Sequence, residues 1–68
     1  MNPIDIALRI ATSAHAGQLD RDGYPVILHP LTVGLMGHTD EEMMAGFLHD
    51  VVEDTSYSFE DLLHEGIP

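Results

Sequence analysis

The chain has 68 residues, which is enough for one small domain or part of one. It contains no cysteine, so no disulfide can stabilise it and nothing indicates an oxidising compartment. Twelve acidic residues against two arginines give a formal net charge of −10, which excludes the basic surface that nucleic-acid binding requires. There is no leader-like start and no apolar run near the roughly 20 residues that cross a bilayer, so we expect a cytoplasmic protein without membrane contact.

The first predicted element is a helix from Asn2 to about Gly17. Asn2 is a good N-cap, and Pro3 suits the first helical position. Apolar residues then recur at helical spacing and predict one apolar face, formed by Ile4, Ala7, Leu8, Ala11 and Ala14. Residues 18–29 lack this pattern and combine Asp, Gly and Pro, so they predict a loop.

Two further helices are predicted in the middle of the chain. Pro30 is expected to open a short helix that Gly37 ends. The next helix is predicted from Thr39 to Val52, because Thr39 and Glu42 have the spacing of a capping box. The apolar residues of this helix are predicted to share one arc: Met44, Phe47, Leu48, Val51 and Val52.

A fourth helical segment is predicted after Ser58, which pairs with Asp61 at capping-box spacing, while Gly66 fits the position that follows the helix. No alternating strand pattern appears, so the predicted fold class is all-α. Four short segments offer few partners for their apolar faces. We therefore expect an uncovered patch and self-association into a homo-oligomer. The residues expected in this patch are Ile4, Leu8, Met44, Phe47, Leu48 and Val51.

The potential chemistry is concentrated in residues 49–54. On a helix, the polar residues of this segment would lie opposite the apolar arc: His49, Asp50, Glu53 and Asp54. Periodicity alone favours an ordinary solvated face. However, three carboxylates near a helix C-terminus repel one another and oppose the helix dipole. A divalent metal would relieve both effects and provide an activated water, so a metal site is the competing interpretation.

A second histidine favours the metal interpretation. His29 precedes Pro30, which restricts the backbone and holds the ring at a helix entrance with little conformational freedom. A role at the helix N-terminus without any ligand is the alternative, and spacing alone leaves both open. His15 is expected to be a structural hydrogen-bonding residue.

Three ordered segments carry a family resemblance. They are residues 14–18 (Ala-His-Ala-Gly-Gln), residues 23–30 (Gly-Tyr-Pro-Val-Ile-Leu-His-Pro) and residues 48–55 (Leu-His-Asp-Val-Val-Glu-Asp-Thr). Together they resemble the opening of the HD-type hydrolase domain of RelA/SpoT-type guanosine polyphosphate enzymes. A lone His-Asp pair would be weak evidence for a family, but this ordered set of segments is specific evidence and spans most of the chain.

The resemblance implies that residues 1–68 are the N-terminal part of an HD-type phosphohydrolase domain, with the N-terminal helices of an HD helical bundle. It implies His29, His49 and Asp50 as metal ligands, and the usual metal is manganese, which suits nitrogen and carboxylate donors. It implies Glu53 and Asp54 as the residues that position or deprotonate the attacking water. The implied reaction removes the 3′-pyrophosphate of ppGpp, the nucleotide of the stringent response.

Three differences from the family pattern leave alternatives open. The family's fourth ligand, an Asp on a later helix, has no counterpart here. Asp20 stands at a position that is usually basic, which leaves Arg21 as the implied substrate-binding residue of that loop. Val26 replaces a usual Tyr, and the stretch between the two histidines is short. One alternative is an HD-family hydrolase of another nucleotide or phosphoester; the other is a truncated, non-catalytic HD module that acts by self-association.

Overall fold

The computed structural model describes residues 2–67, and these form five short helices. The helices are α1 (Pro3–Ala14), α2 (Leu28–Leu35), α3 (Asp40–Leu48), α4 (Val51–Asp54) and α5 (Phe59–His64). Within residues 2–67, the β-type pairing is limited to an isolated bridge between Leu19 and Pro25. The predicted all-α fold class is confirmed, although five helices replace the four predicted segments.

The predicted N-caps are confirmed, but the capping box predicted at Thr39 and Glu42 forms in one direction, since the carboxylate of Glu42 accepts from the amide of His38 at 3.0 Å. At the start of α3, Oγ1 of Thr39 accepts a hydrogen bond from the amide of Glu42 at 3.1 Å. At the start of α5, Ser58 and Asp61 form a reciprocal capping box with hydrogen bonds of 2.8 and 3.2 Å. Gly66 follows α5 with a φ of 100°, a left-handed conformation that glycine adopts without steric cost.

A loop between α1 and α2 is confirmed, but it covers residues 15–27 instead of 18–29, because α1 ends at Ala14 and α2 begins at Leu28. Polar groups of the loop itself order it. The carboxylate of Asp20 accepts hydrogen bonds from the amides of Asp22 at 2.8 Å and Tyr24 at 3.0 Å. The amide of Val26 donates to the carbonyl of Gln18 at 3.0 Å. Asp20 therefore holds this turn together, which is a structural reason for an acidic residue at that position.

At the base of the loop, His15 is buried, with 2% of its surface exposed. Its Nδ1 lies 2.9 Å from Oε1 of Gln18, so the ring fastens the end of α1 to the start of the loop. The expectation that His15 is a structural hydrogen-bonding residue is confirmed.

The second helix begins earlier than predicted. It starts at Leu28, so Pro30 is the third helical residue instead of the first. The amides of Leu28 and His29 already donate to the carbonyls of Pro25 and Val26 at 3.2 Å, so a turn leads directly into α2. Pro30 costs no hydrogen bond there, because the first four amides of a helix have no acceptor within the helix. His29 consequently lies in the first turn of α2.

The helix predicted over residues 39–52 is broken. α3 ends at Leu48, His49 and Asp50 form a turn, and α4 adds one further turn. Nδ1 of His49 donates to the carbonyl of Gly46 at 2.8 Å, an acceptor that an unbroken helix would offer to the amide of Asp50. This competition, together with the repulsion between acidic residues and a helix C-terminus, is the physical reason for the break.

The central helix is α3, because α1 and α2 both pack against it. Four residues of the predicted apolar arc, Met44, Phe47, Leu48 and Val51, are confirmed as part of a single core, against which the fifth, Val52, packs half-buried. The core consists of Ala7, Ile10, Ala11, Met44, Phe47, Leu48, Val51, Leu62 and Ile67. The predicted uncovered patch is wrong, because α1 and α3 cover each other. Its members Met44, Phe47, Leu48 and Val51 are buried, and Ile4 and Leu8 are half-buried.

Candidate metal centre

The structure brings His29, His49 and Asp50 together. One potential ligand atom from each residue lies within 4.8 Å of the others. The two imidazole rings meet edge to face, with centroids 5.4 Å apart and 63° between their planes. Two atoms bound to one metal at about 2.1 Å lie about 3–4 Å apart, so a small closing movement suffices for shared coordination. The first turn of α2 and the break after α3 therefore form one candidate site.

The backbone of α3 orients His49 for this site. Because its Nδ1 donates to the carbonyl of Gly46, Nε2 faces outward, where it lies 3.2 Å from Oδ2 of Asp50. In a neutral ring, Nε2 then presents a lone pair to a carboxylate oxygen, and the two repel each other. A cation between them removes the repulsion, either a proton on the ring or a metal ion. Metal-binding histidines usually donate their other nitrogen to a fixed acceptor in this way.

The site is open to solvent on one side. The side chains of His49 and Asp50 are 39% and 24% exposed, and His29 is exposed as well. Three protein donors on one side leave further coordination positions for water or substrate, as catalytic metal sites require. Two imidazoles and a carboxylate form a donor set that transition metals such as Mn²⁺ and Zn²⁺ accept. The residues present therefore fit a divalent metal.

The structure separates the two acidic residues that were predicted to act on the water. Glu53 lines an apolar groove that His49 also lines. Among the described residues, Asp54 belongs neither to the ligand cluster nor to that groove. Consecutive side chains on a helix point about 100° apart, so the single turn of α4 directs them differently.

The structure places Arg21 at the exposed tip of the loop between α1 and α2. Within residues 2–67 its guanidinium makes no ion pair, whereas Arg9 pairs with Asp5 along α1 at 3.5 Å. Arg21 thus remains available to an anionic group, and in the described part of the chain no ion pair joins it to Asp50 of the cluster.

An apolar groove of about 960 Å³ adjoins the candidate site. Its floor comes from α3 and α4, and its far wall from α5, where Phe59 and Leu63 are 74% and 64% exposed. Glu41, His49 and Glu53 form its polar edge. The groove therefore exposes apolar side chains of α5, whereas the faces of α1 and α3 that the sequence pattern predicted to be uncovered are buried or half-buried.

Sequence reasoning missed two residues that build the site. Gly46 provides the carbonyl that orients His49, and its backbone meets that of Gly34 where α2 and α3 approach. A signal was present, since a glycine inside a helix costs up to about 1 kcal/mol relative to alanine and so indicates a packing requirement.

No helix of the described residues has the length and apolar character of a membrane span. No protein-family model matches the chain.

Curated proteins do match the chain. It is 42% identical over 66 residues to a GTP pyrophosphokinase of Streptomyces coelicolor, a match that covers 91% of this chain and 8% of that protein. It is 47% identical over 60 residues to the guanosine-3′,5′-bis(diphosphate) 3′-pyrophosphohydrolase of Haemophilus influenzae, covering 82% of this chain and 9% of that protein. It is 40% identical over 60 residues to the bifunctional (p)ppGpp synthase/hydrolase SpoT of Escherichia coli, covering 82% of the chain and 8% of that protein. The chain thus spans less than a tenth of the length of these relatives.

Proposed function

Because the chain is homologous over 60 to 66 residues to enzymes of the RelA/SpoT family, we propose that it forms the N-terminal part of an HD-type, metal-dependent phosphohydrolase domain. The proposed substrate is guanosine-3′,5′-bis(diphosphate), from which the 3′-pyrophosphate is removed. The proposed domain part comprises residues 1–68, with His29, His49 and Asp50 as ligands of a divalent metal, Mn²⁺ being the ion we expect.

Homology alone does not choose between the activities of the relatives, since their names include a pyrophosphokinase, a pyrophosphohydrolase and a bifunctional enzyme. The observation that carries the hydrolase proposal is the convergence of two imidazoles and a carboxylate at a solvent-open site. Such a site leaves coordination positions open for water, the co-reactant of hydrolysis. Glu53 lines the same groove as His49 and is the carboxylate that we propose to act on this water.

Each residue has a proposed task. A bound divalent metal supplies charge neutralisation at the phosphate oxygens and an acidified water. Glu53 lines the same groove as His49, and its proposed task is to accept a proton from the attacking water. Asp54 supports that water from further away. Arg21, free of ion pairs among residues 2–67, binds an anionic part of the nucleotide.

A second candidate is an HD-family hydrolase that acts on another nucleotide or phosphoester. It is favoured by Asp20, which turns its carboxylate into its own loop and leaves Arg21 as the loop's one basic residue. A loop with less positive charge suits a less highly charged substrate. The non-catalytic alternative, a module that acts by self-association, predicts folding and association without turnover.

A chimera tests these proposals without depending on the activity of the short chain, which we expect to be weak. Residues 2–67 replace the matched segment of the Haemophilus influenzae hydrolase, and pyrophosphate release from ppGpp is measured with and without Mn²⁺. We expect Mn²⁺-dependent hydrolysis, abolished by Asp50→Asn. A panel of other nucleotides and phosphoesters distinguishes the second candidate. A folded, Mn²⁺-binding chimera that turns over none of them would contradict both hydrolase proposals.

A further inference from the structure

Two glycines lie where α2 and α3 approach each other. A Cβ placed on Gly46 of α3 would lie 2.6 Å from Cα and 2.7 Å from the amide nitrogen of Gly34 in α2. Ordinary carbon contacts are about 3.5–4.0 Å, so any side chain at position 46 forces the two backbones apart by about 1 Å. Both glycines are buried, and no water-filled gap can absorb this movement.

The same two helices carry the candidate metal ligands. His29 is in the first turn of α2, and His49 follows the last turn of α3. The separation between these helices therefore sets the distance between the imidazole rings, whose centroids lie 5.4 Å apart. Gly46 also supplies the carbonyl that receives Nδ1–H of His49 at 2.8 Å.

We propose that Gly46 is a positioning residue for the metal centre, acting twice through its backbone. The lack of a side chain lets α2 come close enough to bring His29 to His49, and its carbonyl turns Nε2 of His49 toward the site. This inference rests on the metal site of the proposed function but not on any particular substrate.

Gly34 provides a matched contrast at the other side of the contact. A Cβ on Gly34 would meet ring atoms of Phe47 at 2.2, 2.3 and 2.9 Å. A side chain can rotate and repack, whereas the backbone that opposes Gly46 cannot move without the whole helix. Substitution of Gly34 should therefore weaken the core more than the metal site, and substitution of Gly46 should do the reverse.

Three glycine-to-alanine variants test this in the 68-residue chain. Gly46→Ala should lower Mn²⁺ affinity by about 10–100-fold, the range observed when groups that orient metal ligands are removed. Gly34→Ala should lower the melting temperature but change Mn²⁺ affinity by less than about threefold. Gly66→Ala is the control, because its φ of 100° makes alanine strained far from the α2–α3 contact. It should reduce stability and leave Mn²⁺ affinity unchanged. Calorimetric titration gives the affinities.

A readout on the metal-free chain separates positioning from stability. Proton–proton NOEs between the rings of His29 and His49 should be present in the wild type and in Gly66→Ala, and lost in Gly46→Ala. Nitrogen chemical shifts in the wild type should show His49 protonated at Nδ1. An Nε2-protonated His49 would overturn the proposal even if Gly46→Ala failed to fold. So would equal loss of Mn²⁺ affinity in all three variants. Failure of wild type to bind Mn²⁺ with ring contacts intact would refute the metal site instead.

Discussion

The two parts of the candidate site differ in how firmly the fold holds them. The candidate ligands His29 and His49 lie on α2 and just after α3, whose backbones touch at Gly34 and Gly46, and this contact leaves little freedom. Glu53 lies on α4, a single turn whose one buried residue is Val51. An isolated turn is unstable by itself, since helix nucleation is costly. The proposed metal site thus depends on a rigid contact, while the position of Glu53 depends on what packs around α4 and α5.

The first prediction tests the rigid region and has the largest expected effect. Saturating Mn²⁺, at about 100 times its dissociation constant, should stabilise the wild-type chain by about 2.7 kcal/mol. For a domain of this size that corresponds to about 10–20 °C in melting temperature. His49→Ala removes a ligand and should abolish the gain, as followed by circular dichroism. His64→Ala, an exposed histidine outside the cluster, is the control. Equal Mn²⁺ effects in His49→Ala and wild type would disprove the site.

The second prediction tests Glu53 on α4, the part of the site that the fold holds less firmly. In the chimera with the Haemophilus influenzae hydrolase, Glu53→Gln keeps the side-chain shape but removes the proton acceptor. Turnover should fall by about 100-fold, the general scale of acid–base catalysis, with Mn²⁺ affinity nearly unchanged. Glu60→Gln, an exposed glutamate in the first turn of α5, should behave as wild type. Unaltered turnover in Glu53→Gln would mean that Glu53 belongs to an ordinary solvated face and has no part in the reaction.

The third prediction concerns the apolar groove, and its effect is the smallest. Self-association stays a prediction, but its site moves from the faces of α1 and α3 to the exposed side chains of Phe59 and Leu63. Burial of a large apolar side chain contributes about 1.5–3 kcal/mol. The double substitution Phe59→Ser with Leu63→Ser should therefore weaken association at least about tenfold. Sedimentation equilibrium at micromolar concentration measures this.

The chain offers a matched control for that experiment. Leu35 and Met36, at the end of α2, are 64% and 74% exposed, the same fractions as Leu63 and Phe59. Replacing both by serine should leave association unchanged, because neither lines the groove. A wild-type chain that stays monomeric and unfolds cooperatively would contradict self-association altogether.

Local sequence signals predicted much of the fold. The N-cap of α1, the caps at Thr39 and Ser58 and the glycine turn at Gly66 each depend on residues within one helical turn, and all are confirmed. The apolar arc of α3 was predictable for the same reason. Helical periodicity is a local property of the sequence, so it predicts which residues of a helix face the core.

The errors come from interactions that periodicity cannot represent. The break at His49 depends on a side chain that takes a backbone acceptor from the helix. The approach at Gly34 and Gly46 joins residues on different helices. Glycines inside two helices indicate a packing requirement, but spacing does not show which residues they meet. The convergence of His29 with His49 is likewise non-local. Residue patterns alone left open whether His29 binds a metal. The family resemblance selected the residues that the fold brings together.

The ion pair between Arg9 and Asp5 has a consequence for how fast a nucleotide reaches the protein. It cancels one of the two arginines, so within residues 2–67 Arg21 is the remaining unpaired guanidinium on a chain with net charge −10. A polyphosphate therefore meets a repulsive field over most directions of approach, with one attractive point at a loop tip. Physiological salt limits that field to about 8 Å. Added salt should therefore accelerate encounter with an anionic nucleotide, the opposite of the steering that basic nucleotide-binding surfaces produce.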